Sequence, residues 1–346
     1  MNEQGAVMRV SIDDVAARAE VSTATVSRAL RGLPKVKPAT RERVLAVARE
    51  MGYVPSPSAT RLATGRTKTV GVLVPFIDRW YFANALEGID QELRKQGYNL
   101  LLFSLGGYMH GQQRRFTEQM VRKQIDAMVV MCLGLSVNEL AELQRINIPI
   151  ISVGGPVEGC RGVHVDDSAA AAVATQHLID LGHRRIGHLR GGINDEKNFV
   201  VPTLRAGAFE ATMRFAGLEL RPEWDVAGDF TVGQGAAAAA RLFDQSGERP
   251  TAVFCGSDEM ALGLMFEARR RGIRIPEDLS VIGVDDHDFS APAGLSTIAQ
   301  KPLQHGVLAA QVLLAELDGL TVPSLEGSMP FTLIHRESTT PPARSV

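Results

Sequence analysis

The chain has 346 residues, 45% hydrophobic and 22% charged, with a formal net charge of −2. That length exceeds one ordinary domain, and the balanced composition excludes collagen-like, disordered and disulfide-framed classes. No apolar run reaches the roughly 18 residues that span a bilayer, and residues 1–8 lack an apolar export stretch. The expectation is a cytoplasmic protein with no membrane partner.

Three cysteines, Cys132, Cys160 and Cys255, are an odd, widely spaced set. They offer neither a disulfide framework nor metal-ligand spacing. The charge is uneven. Residues 1–68 hold twelve basic and six acidic side chains, so this stretch carries +6 and the rest −8. A basic head on an acidic body is suited to meeting a polyanion through the head alone.

In chain order, Ile12, Val15, Ala16 and Ala19 recur at helical spacing and put one apolar stripe on a first helix. Ser11 and Asp14 flank its start as a capping box. A second helix opens at Ser22, a good N-cap, with Val26, Ala29 and Leu30 on its inner face. Only Glu20 and Val21 separate the two, so they cross steeply, as in a helix-turn-helix. The outer face of the second helix carries Ser22, Thr23, Thr25, Ser27 and Arg28. Hydroxyls bond phosphates at close range, and arginine grips guanine O6 and N7 with two bonds. A third helix begins at Pro38, runs through Val44, Leu45, Ala48 and Met51 on one face, and stops at Gly52.

Pro55 and Pro57 interrupt the chain after this helix, and Ala59–Thr64 can form little more than one turn. Such a helix needs a partner, either a second subunit or DNA; by composition alone it reads as a flexible linker. From Thr69 onward short apolar runs at 70–75, 100–104, 127–132, 148–153, 185–189, 251–255 and 279–284 read as buried parallel strands. Helical patterns at 83–97, 137–146, 168–182, 203–217, 233–245 and 258–272 alternate with them. The alternation predicts doubly wound α/β sheets, and about 270 residues favour two lobes. Ligands of such sheets bind beyond the carboxyl ends of the strands. That singles out the run 77–82 with Trp80, Tyr81 and Phe82, the pair Ser257–Asp258, and Asp285. Each also has a structural reading: Asp258 can cap the helix beside it, and an aromatic cluster can be core.

The runs VSIDDVAARAEVSTATVSRALRG (10–32), TRERVLAVAREMGYVP (40–55) and RLATGRTKTVGVLVP (61–75) together resemble the LacI family of bacterial repressors. The similarity extends through HLIDLGHRRIGHL (177–189), SDEMALG (257–263), RIPEDLSVIGVDD (274–286) and HRESTTPP (335–342). The resemblance implies a helix-turn-helix head at 9–55, a hinge at 56–68, a two-lobed core resembling periplasmic binding proteins at 69–330, and a tail at 331–346. It implies lobe crossings near 165–167, 292–296 and 325–330. It further implies that Thr23, Ala24 and Arg28 face bases, that Ser22, Thr25, Ser27 and Arg31 meet phosphates, and that Ala59 and Leu62 serve the hinge. There Leu62 wedges into the minor groove while Ala59 packs the paired hinge helices. Tyr81, Phe82, Arg205, Ser257 and Asp285 are implied to bind a small-molecule effector, a sugar, sugar derivative or purine-like compound. The partners implied are double-stranded operator DNA, read as a pseudo-palindrome, and a second copy of the chain.

Several positions depart from the family pattern. Arg31 stands where asparagine is common, Ser56 replaces an asparagine before the hinge, and Lys37 occupies an N-cap where serine is usual. In the core Gly154 and Gly155 stand where sugar-binding members often carry aspartate, and Ser257 replaces an asparagine. These changes point to a different ligand from those members, or one read through water. No cofactor or metal is expected: the histidines lack zinc spacing, with His183 and His188 read as structural, and the glycine pairs are not followed by a phosphate-loop lysine. An enzyme, a solute-binding protein and an activator are the competing readings. The first lacks a nucleophile–base pairing, the second has no use for residues 9–66, and the third differs only in where its site lies on DNA.

Overall fold

A computed structural model describes residues 10–53, 65–105, 117–133, 135–192, 200–321 and 328–343. The chain divides into two units, Met1–Thr67 and Lys68–Val346. The hinge residues Ala59 and Leu62 lie outside the described residues.

In the first unit, α1 (Ile12–Arg18) starts with the capping box read from the sequence. Ser11 Oγ accepts the Asp14 N–H at 3.2 Å, while Asp14 Oδ2 accepts the Ser11 N–H at 2.8 Å. Glu20, at φ 51, turns the chain into α2 (Thr23–Leu30). α3 (Pro38–Glu50) has proline in its first turn and no side-chain cap from Lys37; Gly52, at φ +65, closes it. Val15, Val26, Ala29, Val44 and Ala48 form the core of these three helices. Leu45, expected on the inner face of α3, is 37% exposed, because Val44 and Ala48 fill that face first.

In the second unit, β1 (Thr69–Val74), β2 (Asn99–Ser104), β3 (Ala127–Met131), β4 (Ile150–Val153) and β5 (Arg161–Val163) form a parallel sheet in the order β2-β1-β3-β4-β5. α4 (Trp80–Lys95), α5 (Glu118–Val121) and α6 (Val137–Arg145) connect them. After α7 (Asp167–Asp180) comes a second sheet, ordered β11-β10-β9-β8-β6-β7. Its strands are β6 (Ile186–Arg190), β7 (Asp225–Ala227), β8 (Ala252–Cys255), β9 (Ser280–Asp285), β10 (Ser296–Ala299) and β11 (Thr332–Ile334), with only β11 antiparallel. α8 (Val201–Phe215), α9 (Val232–Phe243) and α10 (Asp258–Arg270) complete this lobe. No helix among the described residues is long and apolar enough to cross a membrane.

Besides the short elements α5, β5, β7, β10 and β11, which the sequence reading lacks, three points differ from it. α11 (Pro302–Leu317) has no counterpart there: it returns to the first lobe, where Ala309 and Leu313 share a core with Val72, Ile89 and Leu93. It lies so close to α4 that a Cβ on Gly306 would strike the Ala85 carbonyl oxygen, and one on Gly88 the Leu303 carbonyl oxygen. The second crossing was expected at 292–296, but β10 remains in the second sheet to Ala299, so the chain leaves that lobe just afterwards. The expected tail at 331–346 supplies β11 and stays anchored beyond it. Ser338 Oγ donates to the Val281 carbonyl at 2.6 Å, and the Thr340 carbonyl lies 2.8 Å from His183 Nε2. The segment is too rich in hydrogen-bonding groups and too well paired to be a free end. Val165 and Met329, from the first and third crossings, form a parallel bridge.

Candidate functional site

The candidate residues gather in two places. On α2, Val26 and Ala29 are buried, which turns the opposite face outward; Ser22, Thr23, Ala24 and Arg28 are exposed, and Thr25 and Ser27 are half-buried. Ser22 Oγ accepts the Thr25 N–H at 3.3 Å and lies 2.9 Å from Thr25 Oγ1, so the cap fixes both hydroxyls at the helix start. A helix N-terminus presents unsatisfied N–H groups and a partial positive charge, which favours phosphate. Arg31 Nε donates to the Ser27 carbonyl at 3.0 Å, pinning that exposed guanidinium to the C-terminal end of α2.

The second place is a cleft of about 480 Å³ between the lobes. In each sheet the strand order reverses beside the first strand of the lobe, so both crevices open at carboxyl ends and face one another. The first lobe contributes Phe76, Arg79, Tyr81, Phe82, Cys132 and Gly154; the second contributes Val201, Arg205, Phe230, Ser257, Glu259 and Asp285; Gln300 comes from the crossing. All five expected effector residues, Tyr81, Phe82, Arg205, Ser257 and Asp285, thus meet here, although they span more than 200 positions of sequence.

Arg205, 5% exposed, is held firmly. Its Nε and Nη2 both reach Asp167 Oδ1, at 2.8 and 2.7 Å, and Nη1 donates to the Gly256 carbonyl at 2.5 Å. Burial alone would lower its pKa; the Asp167 and Asp285 carboxylates reverse this and raise it. Guanidinium has five N–H groups, so two still point elsewhere. Asp285 ends β9 at φ 135, a backbone region strained for any residue with a side chain, and its Oδ1 accepts from Gln300 Nε2 at 2.5 Å. Burial pushes the Asp285 carboxyl well above its usual range, against the pull of Arg205. A carboxyl biased toward its acid form donates as well as accepts.

Ser257 is the N-cap of α10 and accepts the Met260 N–H at 3.3 Å, so Asp258 is not the cap. Asp258 instead accepts from Ser290 Oγ (2.6 Å), Thr297 Oγ1 (2.7 Å) and the His287 N–H (3.0 Å), tying the loop after β9 to α10. Burial raises its pKa to about 6 against these three bonds. Its role is structural. His188 stacks on Phe209 and Phe254, and His183 bonds Thr251 and Ser280. Phe82 packs edge-on against Phe76, with ring centroids 5.9 Å apart, and is core as well as cleft wall.

The departure at Gly154 has a steric counterpart. A Cβ there would lie 2.7 Å from the Tyr81 hydroxyl and collide with Cys132 Sγ, so Tyr81 and Cys132 occupy the space of the missing side chain. Sequence reasoning missed Phe76, Phe230, Glu259 and Gln300. Phe230 follows a three-residue strand, and Gln300 precedes a helix that the sequence reading lacks. Glu259 becomes visible only in the fold, where α4 lacks a side-chain cap of its own and a carboxylate is the natural partner of a helix start. Glu259 accepts the Trp80 backbone N–H from across the cleft, beside Arg79; burial raises its carboxyl to about 7. Trp80 also lies against His287, with ring centroids 5.3 Å apart.

With this geometry in view, residues 11–56 match the family described as "Bacterial regulatory proteins, lacI family", and residues 175–339 match the "Periplasmic binding protein-like domain". Over 333 residues the chain is 36% identical to the HTH-type transcriptional repressor CytR of Escherichia coli (strain K12), covering 95% of this chain and 96% of that one. The chain belongs to the LacI family. This LacI-family chain is also 33% identical to Catabolite control protein A of Priestia megaterium, covering 96% and 100% of the two chains. Among solved structures, the transcriptional regulator CelR-cellobiose complex matches at 28% identity with a TM-score of 0.65, covering 95% and 100%. The lac repressor dimer bound to operator and the anti-inducer ONPF shares the fold at a TM-score of 0.81 and 23% identity, covering 96% and 99%.

Proposed function

We propose that this LacI-family chain is a ligand-responsive transcriptional repressor, working in the cytoplasm as a homodimer on a pseudo-palindromic operator in double-stranded DNA. Thr23, Ala24 and Arg28 read base edges in the major groove. Ser22, Thr25, Ser27 and Arg31 contact phosphates, while Ala59 and Leu62 serve the minor groove. The observation that carries this reading is the outward face of α2: two short hydroxyls and a methyl beside one exposed arginine, with Val26 and Ala29 turned inward. Residues 9–66, without use in a pure solute-binding protein, have a role here.

The cleft holds the effector through Tyr81, Phe82, Arg205, Ser257 and Asp285. Its apolar walls, Phe76, Phe82, Val201 and Phe230, suit a ring face. Of the two lining arginines, Arg205 is neutralised by Asp167 and Arg79 pairs with Asp78 at 3.0 Å, while Asp285 and Glu259 add carboxyl groups. A phosphorylated compound finds little excess positive charge there; an uncharged sugar, sugar derivative or purine-like ring fits better. Effector binding changes the spacing of the lobes, and the paired hinges transmit that change to the operator. Coupling of this type is about 1–3 kcal/mol and reciprocal.

Selection of binding sites from a pool of random duplexes by the purified protein tests the reading. Two-fold symmetric sites are expected, with affinity falling steeply as salt rises. Recovery of no symmetric sequence, or a protein that stays monomeric, overturns it. A thermal-shift screen with sugars, sugar acids, polyols and purines tests the cleft, since a tight ligand raises the melting temperature by mass action.

A further inference from the structure

Behind the cleft lies a set of polar atoms that the effector reading leaves unused. The Tyr81 hydroxyl is 3.2 Å from His305 Nδ1. His305, on α11 just past the second crossing, is 0% exposed, and its Nε2 has no hydrogen-bond partner. His164 Nδ1 is likewise buried and unpartnered. Orphaned buried ring nitrogens are uncommon, so two of them near the crossings call for an account. His164 follows β5 at the first crossing, and its carbonyl accepts the Met329 N–H of the third crossing at 2.7 Å.

His164 lies at the first crossing and His305 just past the second, so both orphaned nitrogens sit on segments that join the lobes.

Burial, reinforced by His164, lowers the pKa of His305 to about 4, so its ring is neutral at working pH. A neutral imidazole has one N–H and two tautomers. With the proton on Nε2, Nδ1 accepts from Tyr81, and the phenol offers the cleft only its lone pairs. With the proton on Nδ1, the ring donates to the phenol oxygen, and the Tyr81 O–H is released toward the cleft. One unseen proton thus decides whether Tyr81 greets an occupant as acceptor or donor.

We propose that His305 is a positioning residue that determines specificity: it sets the hydrogen-bonding sense of the Tyr81 hydroxyl toward the cleft. This rests on the cleft being the effector site. An occupant group that both donates and accepts, such as a sugar hydroxyl or the N–H and C=O edge of a purine, is the class that this arrangement reads.

The test uses the full chain, with D-ribose, adenosine and hypoxanthine as probes in titration calorimetry. The variants are His305→Leu, His305→Gln, Tyr81→Phe and the double variant, with Arg205→Ala as reference. Wild type is expected to bind at least one probe. Tyr81→Phe and His305→Leu should each weaken it by about tenfold, the effect of one lost hydrogen bond, and the double variant no further. His305→Gln, which keeps a polar atom in place, should recover part of the loss. In histidine-¹⁵N spectra the His305 signals should report one neutral tautomer and shift both on probe addition and in Tyr81→Phe. If a probe binds wild type and fails with Arg205→Ala, yet binds Tyr81→Phe and His305→Leu as wild type, the inference falls and the effector reading stands. If no probe binds wild type, both fall. Should His305→Leu not fold, Tyr81→Phe with the ¹⁵N signature decides alone.

Discussion

Glu259, at the start of α10 in the second lobe, caps α4 of the first by accepting the Trp80 backbone N–H. The helix has no side-chain cap from its own lobe, so one of its orphan donors is satisfied only while the lobes stay together. Burial raises the Glu259 carboxyl from 4.5 to about 7, despite the nearby Arg79. A carboxyl whose pKa is higher in the folded state stabilises when protonated, and that contribution is lost as pH rises through the folded value. Glu259→Gln keeps an acceptor and removes the titration. Its melting temperature should therefore gain on wild type between about pH 5 and pH 8. Parallel melting curves across that range would refute the assignment.

Asp167 takes two guanidinium contacts on one oxygen. Asp167→Asn leaves Arg205 as a buried cation without its counter-ion, a change that typically destabilises by about 3–5 kcal/mol. Chemical unfolding followed by circular dichroism measures it. A loss below about 1 kcal/mol would mean that Asp285 or solvent takes over the charge.

The α4–α11 contact depends on the absence of two side chains. Gly88→Ala and Gly306→Ala must each force a Cβ into a backbone carbonyl of the facing helix, for a destabilisation of about 1–3 kcal/mol. Gly207, within α8, has open space around it, so Gly207→Ala should instead stabilise by up to about 1 kcal/mol. Equal effects at the three sites would show that helix propensity, not close approach, governs them.

Arg28 is the one long exposed donor on the outer face of α2. Arg28→Ala should relax discrimination at one base pair of each half-site by about 1–3 kcal/mol. Effector affinity measured without DNA should stay at the wild-type value. Uniform weakening on all sequences would reassign Arg28 to the phosphate backbone.

Much of this architecture is legible in the sequence. The Ser11–Asp14 box, the Val26–Ala29 stripe and the apolar runs at β1, β3, β8 and β9 announce themselves locally. α11 does not: PLQHGVLAAQVLLAEL is apolar around most of its circumference, because it packs on both a sheet and a helix, and so shows a weak period. Strands of three residues such as β7 and β11 give too short a pattern to read. In the cleft, residues next to strand ends, Tyr81 and Asp285, are found by topology. Glu259, Phe230 and Gln300 are not, because their partners are fixed only when the lobes face each other. The glycine at 154 is visible as a departure, but that Tyr81 fills its place is a fact of three dimensions.

The late return of α11 bears on synthesis. On the ribosome, the first five strands emerge long before the helix that seals their hydrophobic side, and β6 to β10 are translated in between. The earlier-born half of the sensor must therefore wait, partly uncovered, for a piece encoded near the end of the message. A premature stop anywhere before residue 302 removes that helix and leaves Val72, Ile89 and Leu93 without their cover.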